Sequence, residues 1–556
     1  MNFLSIYNVF TLLMELAMQQ LSALDTSFIF NETDLAPQHI GNLAILDPST
    51  APGGKVRFKQ IMQTVVDRGH LVPYMRQRLL EVPFDADFPY WLNEESFDPE
   101  FHIRHISLPA PGDWRQLCIQ VARIYSRPLD RARPLWEMYV IEGLDNVEGI
   151  PKGCYATLTK THHACLDGAT STDVGAAMTD LSATPDLSLI PSPGKWVVDK
   201  EPTFWELFAR TNYNNLTKPF RFVDTVGKTA PQLLSAVTKL RDGLVTLPSP
   251  APKSRFNGTV DSTRVFEGVV FDLENIKKIK NASGGTVNDV MLAICSGALR
   301  NYLLEKNELP DTSLVSLCPI NTREPRKSGD NVETGNNVSS LTVPLRTDIA
   351  DAKERLLAIS TETRNAKELT KAIGAQTMLE FAKYTPTSLS AAGAKLAAEL
   401  GLANHMAPVF NTVTTNVPGP QVPLYSNGAR LISAFGLGIA QDMVGLFHSI
   451  GSYCGQAMIS ITSCRSMMPD PSRYAELLRQ SLQELELAVL GEVLTESGVG
   501  PVATSSPAVP KTVKKSQPNS PVVKAAVPGK VVAKSKLETK PNESVNKTTT
   551  LSSKTF

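Results

Sequence analysis

The chain has little of what marks the specialised protein classes. It has no CxxC pair, and its seven cysteines (Cys118, Cys154, Cys165, Cys295, Cys318, Cys454 and Cys464) are scattered and odd in number. That pattern offers no disulfide or metal framework and suits a reducing cytoplasm. Net charge is missing as well: 55 basic residues balance 55 acidic ones. Nucleic acid is therefore not expected as the main partner. Long apolar runs are absent. The most apolar stretch, Phe3 to Met18, is too short to span a bilayer and has no basic n-region or small-residue cleavage site. It reads either as a start placed upstream of the true one or as a short helix on a membrane surface. No serine occupies a GxSxG elbow, so a covalent acyl-serine route is not indicated.

What is there is an ordinary globular composition, 42% hydrophobic and 20% charged over 556 residues, enough for two or three domains. After an apolar extension at 1–17, residues 18–185 alternate strand and helix patterns. Strands are expected at Gly41 to Leu46 and Phe101 to Leu108, and a helix at Arg115 to Ile124. Residues 186–260 open Pro/Ser-rich, read as helical from Trp205 to Leu247, and close on the breaker cluster Pro248-Ser249-Pro250-Ala251-Pro252. Residues 261–495 resume α/β character. Their expected strands are Val265 to Phe271, Leu314 to Ile320, Thr412 to Asn416 and Ala457 to Thr462, with helices at Val287 to Lys306 and Ser472 to Leu490. Residues 496–556 are Pro/Lys/Ser/Thr/Val-rich with almost no aromatics, a composition that cannot bury a core and is expected to be disordered. From residue 501 on, ten lysines face two glutamates, so this segment is either an anchor for anionic lipid head groups or a solvated tail.

The densest chemistry lies in Thr161-His162-His163-Ala164-Cys165-Leu166-Asp167-Gly168. The preceding residues, Gly153 to Thr161, are β-branched and aromatic and read as a strand. Successive strand side chains point to opposite faces, so His162 and His163 should diverge and only one should face a given cavity. Asp167 falls where the chain leaves the strand, Gly168 permits backbone conformations most residues resist, and Ala169 to Leu181 reads as helical. An imidazole at a strand end suits a general base that takes a proton from a hydroxyl or thiol. A zinc site would need further ligands that no other His, Cys or Glu cluster supplies. Cys165, flanked by Ala164 and Leu166, reads as a packed thiol rather than a nucleophile.

HHxxxDG at 162–168 resembles the signature of the CoA-dependent acyltransferase superfamily. The rest of the chain is similar to its bacterial wax ester synthase/diacylglycerol acyltransferase branch. The similarity is carried by Leu21 to Phe28, Arg133-Pro134-Leu135-Trp136-Glu137, Thr286 to Ala293, and Asn416-Val417-Pro418-Gly419-Pro420 with Pro423 to Tyr425 and Gly428 to Arg430. It implies an α/β fold of two chloramphenicol acetyltransferase-like domains with mixed sheets, joined by a helical connector and followed by a disordered tail. It also implies a site between the two halves. In that site His163 would be the base, His162 supporting and Asp167 structural. Gly168, Pro134, Leu135, Trp136, Asn288 and Asp289 would contact or shape the substrate site. From the residues alone, Trp136 reads equally as core, Asn288 as a helix N-cap, and Asn416 to Pro420 as a tight turn.

The reaction implied is transfer of a long-chain acyl group from acyl-CoA to the hydroxyl of diacylglycerol or a fatty alcohol. It needs no metal or bound cofactor, acyl-CoA being a substrate. The location implied is cytoplasmic, peripheral to the inner membrane or lipid inclusions. Trp205, Phe208, Phe220 and Phe222 are candidate contacts there, or else part of an ordinary packed bridge. Two alternatives share the motif: a condensation-type acyltransferase using carrier-bound donors, and a non-catalytic lipid-droplet protein. Two departures from the family pattern stand out. Gln20 replaces a common proline, and Gly445-Leu446-Phe447-His448 stands where Gly-Leu-Asn and an aliphatic residue are expected, a change read here as reshaping the acceptor channel.

Overall fold

The computed structural model describes residues 18–94, 97–166, 174–192, 196–216, 238, 250–321, 338–373 and 401–494. The first stretch runs β1 (Gln19–Gln20), α1 (Ala23–Asn31), β2 (His39–Asp47), α2 (Phe58–Arg68), β3 (Gln77–Leu80) and β4 (Tyr90–Asn93). It continues with β5 (Ile103–Ser107), α3 (Trp114–Tyr125), β6 (Trp136–Glu142) and β7 (Tyr155–His162). The second stretch holds β8 (Arg264–Asp272), α4 (Leu273–Ser283), α5 (Val287–Glu305), β9 (Val315–Asn321), β10 (Val338–Pro344) and α6 (Ala352–Ile373). It ends with β11 (Thr412–Pro418), β12 (Tyr425–Ser426), β13 (Ala429–Leu437), β14 (Leu446–Tyr453), β15 (Gln456–Cys464) and α7 (Pro471–Leu490). The expected strands and helices recur with shifted ends. Residues 99–102 form a helical turn capped by Asp98 instead of opening the strand at Phe101. Of the helix expected over 169–181, residues 174–178 are helical, and of that expected over 205–247, residues 204–216 are. Residues 179–181 are not helical, and Asp180 bridges to Tyr425; residues 169–173 and 217–247, apart from helical residue 238, lie outside the described residues, as do the extension at 1–17 and the tail at 496–556.

Two six-stranded mixed sheets carry the fold, in the orders β12-β13-β2-β7-β6-β5 and β10-β9-β11-β14-β15-β8. In the first only β5 and β6 run parallel; in the second β11 runs parallel to both neighbours. A small sheet, β1-β4-β3, flanks them. Helices cover one face of each large sheet because their apolar periodicity demands it. On α3 the residues Leu117, Val121, Ile124 and Tyr125 recur at helical spacing and are buried, and Asp113 caps the first turn. Helix α5 is apolar nearly all round, and Val290 to Leu299 is buried throughout at the centre of the second core.

The boundary at residue 261 does not separate the sheets. Strand β13 comes from the later stretch yet pairs with β2 over Arg430 to Leu437, with a register shift between Leu431 and Ser433. Its Phe435 and Leu437 complete the core beneath α3. Strands β13 and β14 then pack closely enough that a side chain on Gly436 would meet Ser449 Oγ at 2.1 Å. One on Gly438 would meet the Phe447 ring at 2.1 Å. Alternation marks a strand, but it does not name the sheet that strand joins.

Candidate active site

His162 and His163 sit where β7 ends, and their environments differ sharply. His162, the last strand residue, is fully buried and lies opposite His39 of β2. Its amide donates to Leu135 O at 2.9 Å, while its Nδ1 accepts the Ala164 amide at 3.1 Å. The proton of the neutral ring therefore rests on Nε2, 3.8 Å from a Glu32 carboxylate oxygen. Burial first, then the Arg131 guanidinium and His163, hold this imidazole well below its ordinary pKa. The ring is thus enclosed and favoured in its neutral form.

His163 lies one residue on, in the turn, and is only partly buried. Its amide donates to Gln38 O at 2.8 Å, and its ring stacks on Phe28 with centroids 4.1 Å apart and planes 12° apart. The divergence expected of adjacent strand residues is met: one imidazole enters the interior and its neighbour lies along α1. Cys165 is 3% exposed among Ala164, Leu166 and the apolar face of α1. Burial pushes its thiol well above the ordinary range, with nearby Asp25 adding to the shift, so it packs as expected. Asp167 and Gly168 lie outside the described residues.

The motif at Leu21 to Phe28 starts a helix. Ser22 and Asp25 form a capping box that starts α1. Phe28 and Glu32 follow Asp25 at three and seven residues, which places them on one side of the helix and its end. Phe28, Glu32, Gln38 and Arg131 were not recognised from the sequence as site residues, although this spacing was a signal for the first two. Pro134, Leu135 and Trp136 reach the turn from β6. Leu135 meets it by main chain, and Trp136 pairs with Thr161. Trp136 itself is 2% exposed, donates to Met75 O at 3.0 Å and stacks on His102 at 4.6 Å. It is core beside the histidines.

Asn288 and Asp289 form a second cluster, at the start of α5. The N-cap is Thr286, not Asn288: Thr286 and Asp289 make the reciprocal capping bonds. Asp289 also accepts from Ser360 Oγ at 3.2 Å, and Asn288 Oδ1 accepts from Asn416 Nδ2 at 3.0 Å. Asn416 lies on strand β11, not in a tight turn, so the two late motifs meet each other. The link from the turn to the later half is instead Gln38, whose Nε2 donates to Gln441 Oε1 at 3.0 Å. His448 does not face a channel. It is fully buried in the second core, between Thr412 Oγ1 at 3.1 Å and Tyr474 Oη at 2.8 Å. Phe447, on the opposite face of β14, packs over Gly438. Among the described residues no group of three or more His, Cys, Asp or Glu side chains converges as a metal site would require.

Comparison with known proteins shows the family. A family model described as the wax ester synthase/diacylglycerol acyltransferase catalytic domain matches residues 21–291, and its C-terminal companion matches 334–486. The protein named "probable diacylglycerol O-acyltransferase tgs2" of Mycobacterium tuberculosis is 31% identical over 467 residues, spanning 84% of this chain and 98% of that protein. O-acyltransferase WSD of Acinetobacter baylyi is 28% identical over 487 residues, with 84% and 97% covered. The solved wax ester synthase/diacylglycerol acyltransferase of Marinobacter aquaeolei superposes with a TM-score of 0.59 at 28% identity, covering 85% of this chain and all of that one. A starter condensation domain of rhizomide synthetase shares the fold alone, with a TM-score of 0.50 at 11% identity over 86% of this chain and 96% of that one. An ordered set of motifs on this two-sheet scaffold, matched along nearly the whole described chain, leaves one assignment: the chain belongs to the wax ester synthase/diacylglycerol acyltransferase family.

Proposed function

We propose that this acyltransferase moves a long-chain acyl group from acyl-CoA to the hydroxyl of diacylglycerol or of a fatty alcohol, with His163 as general base. His163 takes the hydroxyl proton as the oxygen attacks the thioester carbon. The tetrahedral oxyanion collapses, the carbon–sulfur bond breaks, and CoA thiolate leaves and regains the proton from His163. In this proposal Asp167 has a structural role and Gly168 belongs to the substrate site; both lie outside the described residues. Pro134, Leu135 and Trp136 wall it, and Asn288 and Asp289 shape the site from α5. No metal or bound cofactor enters the scheme. The observation that carries the reading is the contrast between the two imidazoles: His162 is fully enclosed, whereas His163 keeps part of its surface. Relatives named for diacylglycerol acyl transfer and for wax ester synthesis support the two acceptor classes.

Both acceptors dissolve in lipid, so the enzyme in this reading works at a cytoplasmic membrane or lipid-inclusion surface. No helix among the described residues is long and apolar enough to cross a membrane. The helix at 204–216 docks through Leu207 but leaves Phe204, Trp205 and Phe208 at 50%, 73% and 53% exposure, packed on one another. Asn215 Nδ2 bonds Ala86 O at 3.0 Å, seating that helix beside the loop of Phe84, which is 89% exposed. Aromatic rings displayed this way suit a lipid interface. The test is CoA release by the purified full chain with palmitoyl-CoA plus hexadecanol or diolein. His163→Ala is expected to abolish transfer to both acceptors, and full activity in that variant would remove the base assignment.

A further inference from the structure

Glu32 follows the last residue of α1 and is almost enclosed, its side chain 7% exposed. Its two carboxylate oxygens serve different parts of the dihistidine turn. Oε1 accepts the Gln38 amide at 3.2 Å, and the Gln38 carbonyl in turn accepts the His163 amide at 2.8 Å. Two hydrogen bonds thus lead from this oxygen to the main chain of His163. Oε2 accepts Arg131 Nε at 2.8 Å and lies 3.8 Å from His162 Nε2. Arg131 is fastened elsewhere too, to Ile29 O at 2.6 Å and Glu81 Oε1 at 3.0 Å, so the carboxylate is held from both sides. A negative oxygen facing Nε2 favours the tautomer with its proton there, and the Ala164 amide on Nδ1 selects the same one.

We infer that Glu32 is a positioning residue of the acyl transfer: through Gln38 it sets where His163 stands, and by facing His162 it fixes that ring's proton on Nε2. The inference rests on His163 being the base. It gives α1 a role beyond its start, because Ser22 and Asp25 begin the helix while Phe28 and Glu32 meet the imidazole turn at its far end. Displacing a reacting group by about 1 Å costs on the order of a hundred-fold in rate, which is the scale expected when this support is removed.

The test compares wild type, Glu32→Gln, Glu32→Ala and His163→Ala as full-length proteins, with palmitoyl-CoA and diolein. The histidines are labelled with nitrogen-15, and His162 is identified by the signals lost in His162→Gln. Glu32→Gln keeps an acceptor for the Gln38 amide but removes the charge facing His162. It is expected to lower kcat about ten-fold with KM for palmitoyl-CoA within about two-fold, and to shift the His162 imidazole signals. Glu32→Ala is expected to lower kcat about a hundred-fold. If Glu32→Ala does not fold, Glu32→Gln decides. Wild-type kcat with unshifted His162 signals in Glu32→Gln overturns the inference, as does a change confined to KM. Full activity of His163→Ala overturns the base assignment on which the inference stands, and is read independently of the His162 signals.

Discussion

His448 gives the sharpest stability prediction. Its ring is sealed between two hydroxyls. The Thr412 hydroxyl donates to Leu446 O at 2.9 Å, so Nδ1–H donates to Thr412 and Nε2 accepts from Tyr474. Burial lowers the pKa from 6.5 to about 3. The folded value lies below the unfolded one, so protons favour the unfolded chain. The stability of the native state is complete above pH 6.5 and is lost as pH falls toward 3. At about 1.4 kcal/mol per unit, lowering the pH from 7.5 to 5.0 costs about 2 kcal/mol through this residue alone. His448→Leu removes that dependence while leaving the Tyr474 hydroxyl unpaired, a penalty of about 1–3 kcal/mol. The variant is therefore expected to be less stable than wild type at pH 7.5 and to recover about 2 kcal/mol of the difference at pH 5.0. Adding Tyr474→Phe should relieve the penalty at both pH values. Urea denaturation of the proteins side by side measures this, and other titrating groups cancel in the comparison. An equal gap between wild type and His448→Leu at both pH values would refute the reasoning.

Three further outcomes follow from packing and exposure. Gly438→Ala should destabilise by about 1–3 kcal/mol, because its side chain would enter the Phe447 ring. Phe447→Ala in the same protein should relieve most of that, and additive losses in a double-mutant cycle would show that the two strands do not press together there. Cys165→Ala should keep near wild-type turnover, and the native enzyme should resist iodoacetamide, since this thiol is enclosed and its pKa raised; inactivation that tracks alkylation of Cys165 would contradict this. Trp205→Ala with Phe208→Ala should weaken flotation with neutral lipid emulsions while CoA release from detergent-dissolved substrates stays unchanged. Undiminished flotation would remove the aromatic face as the contact.

The parts of this protein legible from its sequence are those governed by neighbours along the chain. Strand β7 was legible from its β-branched run, and α3 from its apolar periodicity. The different surroundings of His162 and His163 followed from the two-residue period of a strand. The ordered motifs then pointed to the family. Where reading stopped, the deciding contacts were distant in sequence. Trp136 is core because Met75 and His102 close over it, and His448 is buried because α7 brings Tyr474 to it. Asn288 lost its expected cap role because Thr286 was the better-placed acceptor, and it meets Asn416 instead, 128 positions away. Strand β13 is not among the strands expected from the sequence, and its place beside β2 depends on which exposed edge and which apolar face were open to it.

The sequence by itself determined that a doubled histidine ends a strand, that only one of the pair can face a substrate, and which family carries that pattern. Tertiary structure decided which of the two is enclosed. Burying His162 against β2, with the Arg131 guanidinium and His163 nearby, makes its charged form costly, while the turn leaves His163 part of its surface beside Phe28. Burial depends on what the whole fold lays over a residue, and that is not written in the residues next to it.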